Sequence, residues 1–266
     1  MSDTSAMLQP LIYSAIRAGG AIMAVYGTDF SVRDKVDASP VTEADEAAEK
    51  IILADLASLA PDIPVVAEEA VAAGYVPAIS GSGQADRFFL VDPLDGTREF
   101  VSRRDEFTVN IALIEAGKPV LGIVYAPARR ELYWGDVLAG QAGHLDSDPD
   151  GTMPSKGAAI SARRAPAEGL VAVASRSHRT PETDTFLAKH PVKEFRSIGS
   201  SLKFCLVASG EADVYPRVGT TMEWDTAAGH AVLTAAGGRV TGLEGEPFMY
   251  GKPGFKNGNF VAWGRS

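Results

Sequence analysis

Leu90-Val91-Asp92-Pro93-Leu94-Asp95-Gly96-Thr97 decides how the rest of this chain is read. It continues an apolar run from Phe88 and Phe89, which reads as a short buried strand. Two carboxylates stand at the strand's end, three residues apart around a proline, and an Asp-Gly turn and a hydroxyl follow at once. Two like charges beside a buried strand end are costly unless a cation or a proton lies between them. Their oxygens are hard ligands, better matched to Mg2+ than to zinc. Gly96 lets a backbone approach a ligand closely, and amides freed by the turn can hold a phosphate. Metal-assisted phosphate hydrolysis is the simplest chemistry for such a stretch. As structure alone, an Asp-Pro-x-Asp-Gly run is only a turn, so the case rests on its companions.

Glu68-Glu69 follows a strand pattern over Ile63 to Ala67 and offers a third carboxylate; as structure it is a solvated acidic pair. Asp225 lies in Glu223-Trp224-Asp225-Thr226-Ala227-Ala228-Gly229-His230. It reads either as a helix N-cap or as a metal ligand that also caps. Asp45 is either capping chemistry with Thr42 or part of a proton relay. Ser197-Ile198-Gly199-Ser200-Ser201-Leu202-Lys203-Phe204 sets Gly and Ser before a helix, a possible anion cradle. There Lys203 faces a ligand, joined by Arg217 after Tyr215-Pro216; the plain alternative is a capped helix with a surface lysine. His178 sits just past a strand, where ligand sites gather, or is a solvated loop residue. His144, His190 and His230 have no metal-ligand spacing to one another. Cys205 reads as core. Phosphate-loop and dinucleotide fingerprints are missing.

With 266 residues the chain can form one large domain or two intimately packed lobes. Residues 140–157, rich in Gly, Asp, Ser and Pro, are the best lobe boundary, giving units 1–150 and 151–266. A formal net charge of -9 argues against a general partner among nucleic acids or acidic membranes. A phosphorylated substrate must therefore be drawn in by local cations. One cysteine allows no internal disulfide and fits a reducing cytoplasm. Met1 to Pro10 carries no basic region followed by an apolar core, and no stretch reads as a membrane span.

Leu8, Leu11, Ile12, Ala15 and Ile16 predict an opening amphipathic helix. Ala48, Ile51, Ile52, Leu56 and Leu59 predict a second, stopped by Pro61. Residues 71–86 read as an exposed loop. Phe107 to Leu113 and Val120 to Tyr125 alternate as strands around a hairpin turn at Glu115 to Lys118. Leu132 to Trp134, Leu170 to Ala174 and Ala212 to Tyr215 read as strands. Helices are expected over Pro181 to Lys189, Ser200 to Ala208 and Asp225 to Ala236. Mixed signals of this kind mean sheets covered by helices.

Taken together and in this order, Glu68-Glu69, Asp92-Pro93-Leu94-Asp95-Gly96-Thr97 and Trp224-Asp225-Thr226-Ala227-Ala228-Gly229 resemble three signatures of the inositol monophosphatase superfamily. Ser39-Pro40-Val41-Thr42, Thr97-Arg98-Glu99-Phe100, Phe107 to Leu113 and Ser197 to Leu206 look like its 3'(2'),5'-bisphosphate nucleotidase branch. The likeness spans roughly residues 8 to 262. It implies mixed α and β structure, a layered αβαβα sandwich of the inositol monophosphatase and fructose-1,6-bisphosphatase type. It also implies a Mg2+-dependent, lithium-sensitive phosphomonoesterase of sulfur assimilation using two or three Mg2+ ions. The metal ligands it implies are Glu68, Asp92, the Leu94 carbonyl, Asp95 and Asp225. Asp45 and Thr97 would orient the attacking water, with Glu68 also catalytic. Gly96 and Thr97 would offer amides to the scissile phosphate. His178, Ser200, Lys203 and Arg217 match nucleotide-contacting positions, Lys203 and Arg217 holding the phosphate that is not cleaved. The implied reaction removes the 3'-phosphate of 3'-phosphoadenosine 5'-phosphate, or of its sulfated form, to give AMP. Inositol monophosphatase or fructose-1,6-bisphosphatase activity is the alternative within enzymes, and a non-catalytic nucleotide sensor the alternative outside them. The partner expected is a small phosphorylated nucleotide, with no nucleic acid, no integral membrane segment, and a cytoplasmic monomer or homodimer that can associate peripherally with the inner membrane. Val91 departs from the aromatic residue many relatives carry before the first Asp.

Overall fold

The apolar spacing near the N-terminus does become two helices, Leu8–Tyr26 and Glu43–Leu59. The structure, a computed structural model, describes residues 3–34, 40–79, 87–152, 157–175 and 180–266. Leu11, Ile12, Ala15, Ile16 and Ile22 are buried on the first helix, and Ala44, Ala48, Ile52 and Leu56 on the second. A capping box starts the second: Ala44 N donates to Thr42 Oγ1 (3.2 Å), and Thr42 N donates to Asp45 Oδ2 (2.8 Å). One expectation needs correcting. Thr4–Tyr26 is long and apolar enough to cross a membrane by length and composition, with a mean hydropathy of 1.2. Here its apolar stripe is spent on the protein's own core.

The strand pattern after Pro61 forms a seven-stranded sheet. Its order is Val65–Ala67, Arg87–Asp95, Thr108–Glu115, Lys118–Ala126, Glu131–Asp136, Gln141–Asp146 and Gly157–Ala159. The first pair is parallel and the rest antiparallel. A second sheet of five strands runs Val192–Ser197, Leu170–Ala174, Val214–Arg217, Phe260–Trp263, Arg239–Thr241.

Side-chain alternation assigns the layers. Phe89, Val91, Ile111 and Leu113 pack on the two N-terminal helices. Phe88, Leu90, Ala112 and Ile114 face the opposite way, into a core shared with the helices Leu202–Ala208 and Ala227–Ala235. That core also takes Val171, Val173, Tyr215 and Phe260 from the second sheet. Beyond it, Leu170, Ala172, Val214 and Val261 pack against Leu187 of the helix Pro181–Leu187. The sequence of layers is therefore αβαβα.

Several expected boundaries move. The stretch 140–157 contains a strand, Gln141–Asp146, and the first sheet ends at Ala159, later than the division expected at residue 150. A short helix, Glu68–Ala72, occupies the start of the loop expected over 71–86. Strands at Val192–Ser197, Arg239–Thr241 and Phe260–Trp263 had no clear signal in the sequence.

Gly122 and Gly135 sit opposite each other on neighbouring strands. A Cβ on Gly122 would lie 2.3 Å from the Ala228 carbonyl oxygen, and one on Gly135 would lie 2.7 Å from Val232 Cα. The helix Ala227–Ala235 thus rests directly on bare sheet backbone, and that contact fixes the turn ahead of it. Gly122→Ala is expected to cost about 1–3 kcal/mol by overpacking, read as a lower denaturant midpoint. An unchanged midpoint contradicts this seating of the helix.

Candidate active site

Asp92 and Asp95 owe their shared orientation to a bulge. Residues three apart in a regular strand point to opposite faces. Here Asp92 pairs with Asn110 and Asp95 with Thr108, so one extra residue is accommodated between them. Both carboxylates then face the central helical layer. Glu68 joins them through the parallel pair. Ala67 aligns with Val91, which brings the next residue, Glu68, beside Asp92. Glu69 instead lines a separate hollow with Glu46 and Glu49.

Asp225 arrives from the far side, between the strand Thr221–Met222 and the helix Ala227–Ala235. It does not cap that helix. Thr226 holds the N-cap position, while Asp225 Oδ2 accepts from Met222 N at 2.8 Å. Burial pushes the Asp92 carboxyl well above its usual range, and the charges of Glu68, Asp95 and Asp225 push it further. Burial likewise raises Asp95 to about 6, against the pull of Lys203 and the Ser201 hydroxyl. Asp225 is raised by burial and by Asp95 and Glu68. The proximity of Glu68 adds to the upward shift of Asp92. Among the described residues no three such side chains form a ready-made coordination sphere. The donor set fits a hard divalent ion: every ligand atom is oxygen, and the buried carboxylates repel one another without one.

Thr97 and Asp45 do meet. The Thr97 hydroxyl reaches Asp45 Oδ1 at 3.3 Å and the Leu94 carbonyl at 3.2 Å. Asp45 Oδ2 is held by Thr42 N (2.8 Å) and Thr42 Oγ1 (2.7 Å), so its Oδ1 is aimed at Thr97. Oδ2 thus carries the capping role of Asp45, while Oδ1 is left hydrogen-bonded to Thr97. Gly96, at φ 93°, precedes the short helix Thr97–Val101. A Cβ there would approach the Glu106 carbonyl to 3.1 Å.

The cleft over these groups has a volume of about 260 Å3, and its lining includes Glu68, Asp95, Gly96, Thr97 and Asp225 together with Ser200, Lys203, Tyr215 and Arg217. Lys203 is 5% exposed, so the surface-lysine reading fails. Its Nζ donates to the carbonyls of Ser200 and Ile198 and lies 5.4 Å from the Tyr215 ring centre. Burial lowers its pKa to about 8, with Arg217 adding repulsion and Asp95 opposing. Ser200 Oγ and Arg217 Nε are buried with no hydrogen-bond partner. Two unsatisfied donors beside a desolvated ammonium make an anion-accepting wall. His178 lies outside the described residues.

Two groups had no role in the sequence reading. Both faces of the strand that carries Asn110 are covered, and Asn110 is 1% exposed. Ser201, equally buried, contacts Asp95 and Asp225. A polar residue in an otherwise apolar central strand was the available signal for Asn110. Ser201 had none beyond its neighbours. Cys205 is core, as expected, and His230 is buried against Tyr250 OH (3.0 Å) and held neutral, its pKa lowered to about 3 by burial.

The chain resembles known proteins along its whole length. The model of the inositol monophosphatase family matches residues 3–264. The 3'(2'),5'-bisphosphate nucleotidase CysQ of Shigella flexneri is 46% identical, over 92% of this chain and 94% of that protein. The crystal structure of CysQ from Bacteroides thetaiotaomicron superposes with a TM-score of 0.82 at 38% identity, covering 100% of this chain and 99% of that one. The extragenic suppressor protein suhB from Bartonella henselae gives 0.74 at 30% identity, covering 96% and 92%. A match that begins at residue 3 and ends at residue 264, with its layers repeated in these structures, makes the chain a member of the inositol monophosphatase family.

Proposed function

We propose that the protein is a Mg2+-dependent phosphatase that removes the 3'-phosphate of 3'-phosphoadenosine 5'-phosphate or its sulfated form. The observation that carries this reading is one cleft whose lining combines buried carboxylates with a buried lysine and two unsatisfied donors. The likeness to bisphosphate nucleotidases supports the same substrate class.

Glu68, Asp92, Asp95, Asp225 and the Leu94 carbonyl would hold the metal, two or three ions in all. When bound, Mg2+ activates water and neutralises charge on the transferring phosphoryl group. The attacking water gives its proton to Thr97 Oγ1, whose own proton passes to Asp45 Oδ1. Gly96 and Thr97 present amides to the phosphoryl oxygens. Lys203, Arg217 and Ser200 take the phosphate that stays. Displacement is in line: the bond from the water oxygen to phosphorus forms as the bond from phosphorus to the 3' oxygen breaks, the 3' oxygen leaves as a hydroxyl with a proton from solvent, and no phospho-enzyme forms.

Carboxyls raised by folding make the metal-free protein pH-sensitive in a defined direction. Their folded pKa exceeds the unfolded value near 4, so the folded state binds protons more tightly. This site's contribution to stability is complete below about 4 and is lost as pH rises through the folded value, about 6 for Asp95. Mg2+ reverses that loss. At a hundredfold excess over Kd it contributes about 2.7 kcal/mol, so the melting temperature is expected to rise more at pH 8 than at pH 5. Equal shifts, or none, contradict the site.

The substrate reading is tested by phosphate release from 3'-phosphoadenosine 5'-phosphate, inositol 1-phosphate and fructose 1,6-bisphosphate under one set of conditions. Preference for the nucleotide is expected. Preference for inositol or sugar phosphate keeps the metal site and overturns the substrate. Nucleotide binding without turnover on any of the three points to a sensor.

A further inference from the structure

Ser201 occupies the N-cap position of the helix Leu202–Ala208 and yet makes no side-chain cap. Its hydroxyl is turned outward from its own helix. It reaches Asp95 Oδ2 at 3.1 Å and the Asp225 carbonyl at 2.8 Å. Asn110 Nδ2 donates to Ser201 Oγ at 2.8 Å and lies 3.4 Å from the same Asp95 Oδ2. Thr108 Oγ1 donates to Asn110 Oδ1 at 3.1 Å, which fixes the amide so that its NH2 faces Ser201. All three side chains are buried. The protons can be placed on this geometry. Thr108 gives its proton to Asn110, and Asn110 gives one to a lone pair of Ser201. The single proton of Ser201 is shared, in a three-centre bond, between Asp95 Oδ2 and the Asp225 carbonyl. Asp95, which lines the cleft, is thereby held at its Oδ2.

We infer that Thr108, Asn110 and Ser201 are positioning residues that lock Asp95 to the segment carrying Asp225. Asp95 comes from the first sheet and Asp225 from the turn before the last helix. Ser201 is where those two parts of the chain are tied by hydrogen bonds. The inference rests on the reading of Asp95 and Asp225 as metal ligands. Groups that orient a ligand from behind typically govern about 10- to 100-fold in metal affinity or activity.

The test uses the whole, EDTA-stripped protein and Mg2+ alone as the probe. The readout is the Mg2+ concentration giving half of the thermal stabilisation. Ser201→Ala and Asn110→Ala are each expected to raise it about 10- to 100-fold. The double variant is expected to lose less than the product of the two, because both act through one carboxylate oxygen. Nucleotide hydrolysis should fall in kcat at low Mg2+ and recover in part at high Mg2+, with KM within about twofold of the parent. Thr108→Val keeps the shape and removes only the hydroxyl. It should shift the Mg2+ half-point in the same direction by a smaller factor, and it carries the test where an alanine variant does not fold. Folded variants with an unchanged Mg2+ half-point, or with fully multiplicative effects, overturn the inference. A parent protein that shows no Mg2+ stabilisation overturns the metal site itself, so the two failures are distinct.

Discussion

Replacing Asp95 by Asn is expected to lower kcat/KM by about 1000-fold or more, since losing about 4 kcal/mol of transition-state stabilisation has that effect. The size follows from where Asp95 stands. It lies on a bulged strand end, with its carboxyl raised to about 6 by burial. Lys203 and Ser201 favour the ionised form of Asp95 only in part, and a bound cation would favour all the neighbouring carboxylates together. The variant keeps the shape and removes one repelling charge. The metal-free Asp95→Asn protein should therefore be at least as stable as the parent near neutral pH, while its Mg2+-dependent stabilisation shrinks. Activity and stability should move apart, as they do at sites where function is held against folding. A variant that hydrolyses nucleotide at the parent's rate removes Asp95 from the site.

Lys203→Ala is expected to separate substrates. A charge-assisted contact to a phosphate contributes about 1.5–3 kcal/mol, so kcat/KM for 3'-phosphoadenosine 5'-phosphate should fall by about 100-fold. A simple monophosphate ester, with no second phosphate to hold, should lose only a few-fold. The pH profile carries the same information. Lys203 is lowered to about 8, chiefly by burial. Below that value the free enzyme presents an ammonium; above it the amine is neutral and attracts the second phosphate less. The parent should thus show an alkaline decline in kcat/KM near pH 8 for the bisphosphate, and the variant should lack it. Equal losses on both substrates would take the retained phosphate away from Lys203.

Much of this was legible in the sequence because it is local. The spacing of Leu11, Ile12, Ala15 and Ile16 gave the first helix, and Thr42 with Asp45 marked the start of the second. The run from Phe88 to Thr97 indicates a strand ending in two carboxylates. What the sequence withheld is set by pairing. The bulge that turns Asp92 and Asp95 to one face depends on the partner strand through Thr108 and Asn110. Lys203 allows a surface reading until the rest of the fold covers it, and nothing local marks Asn110 as buried until both faces of its strand are covered. Short strands such as Arg239–Thr241 exist only through their neighbours, so no periodicity announces them.

Dependence of hydrolysis on a cation held by Glu68, Asp92, Asp95 and Asp225 is tested most directly by the AMP and phosphate formed from 3'-phosphoadenosine 5'-phosphate by EDTA-stripped protein as Mg2+ is added back. No turnover in EDTA, a saturable return with Mg2+, and AMP bearing its phosphate at the 5' position are expected. Full activity in EDTA, or a product still phosphorylated at the 3' position, would contradict it.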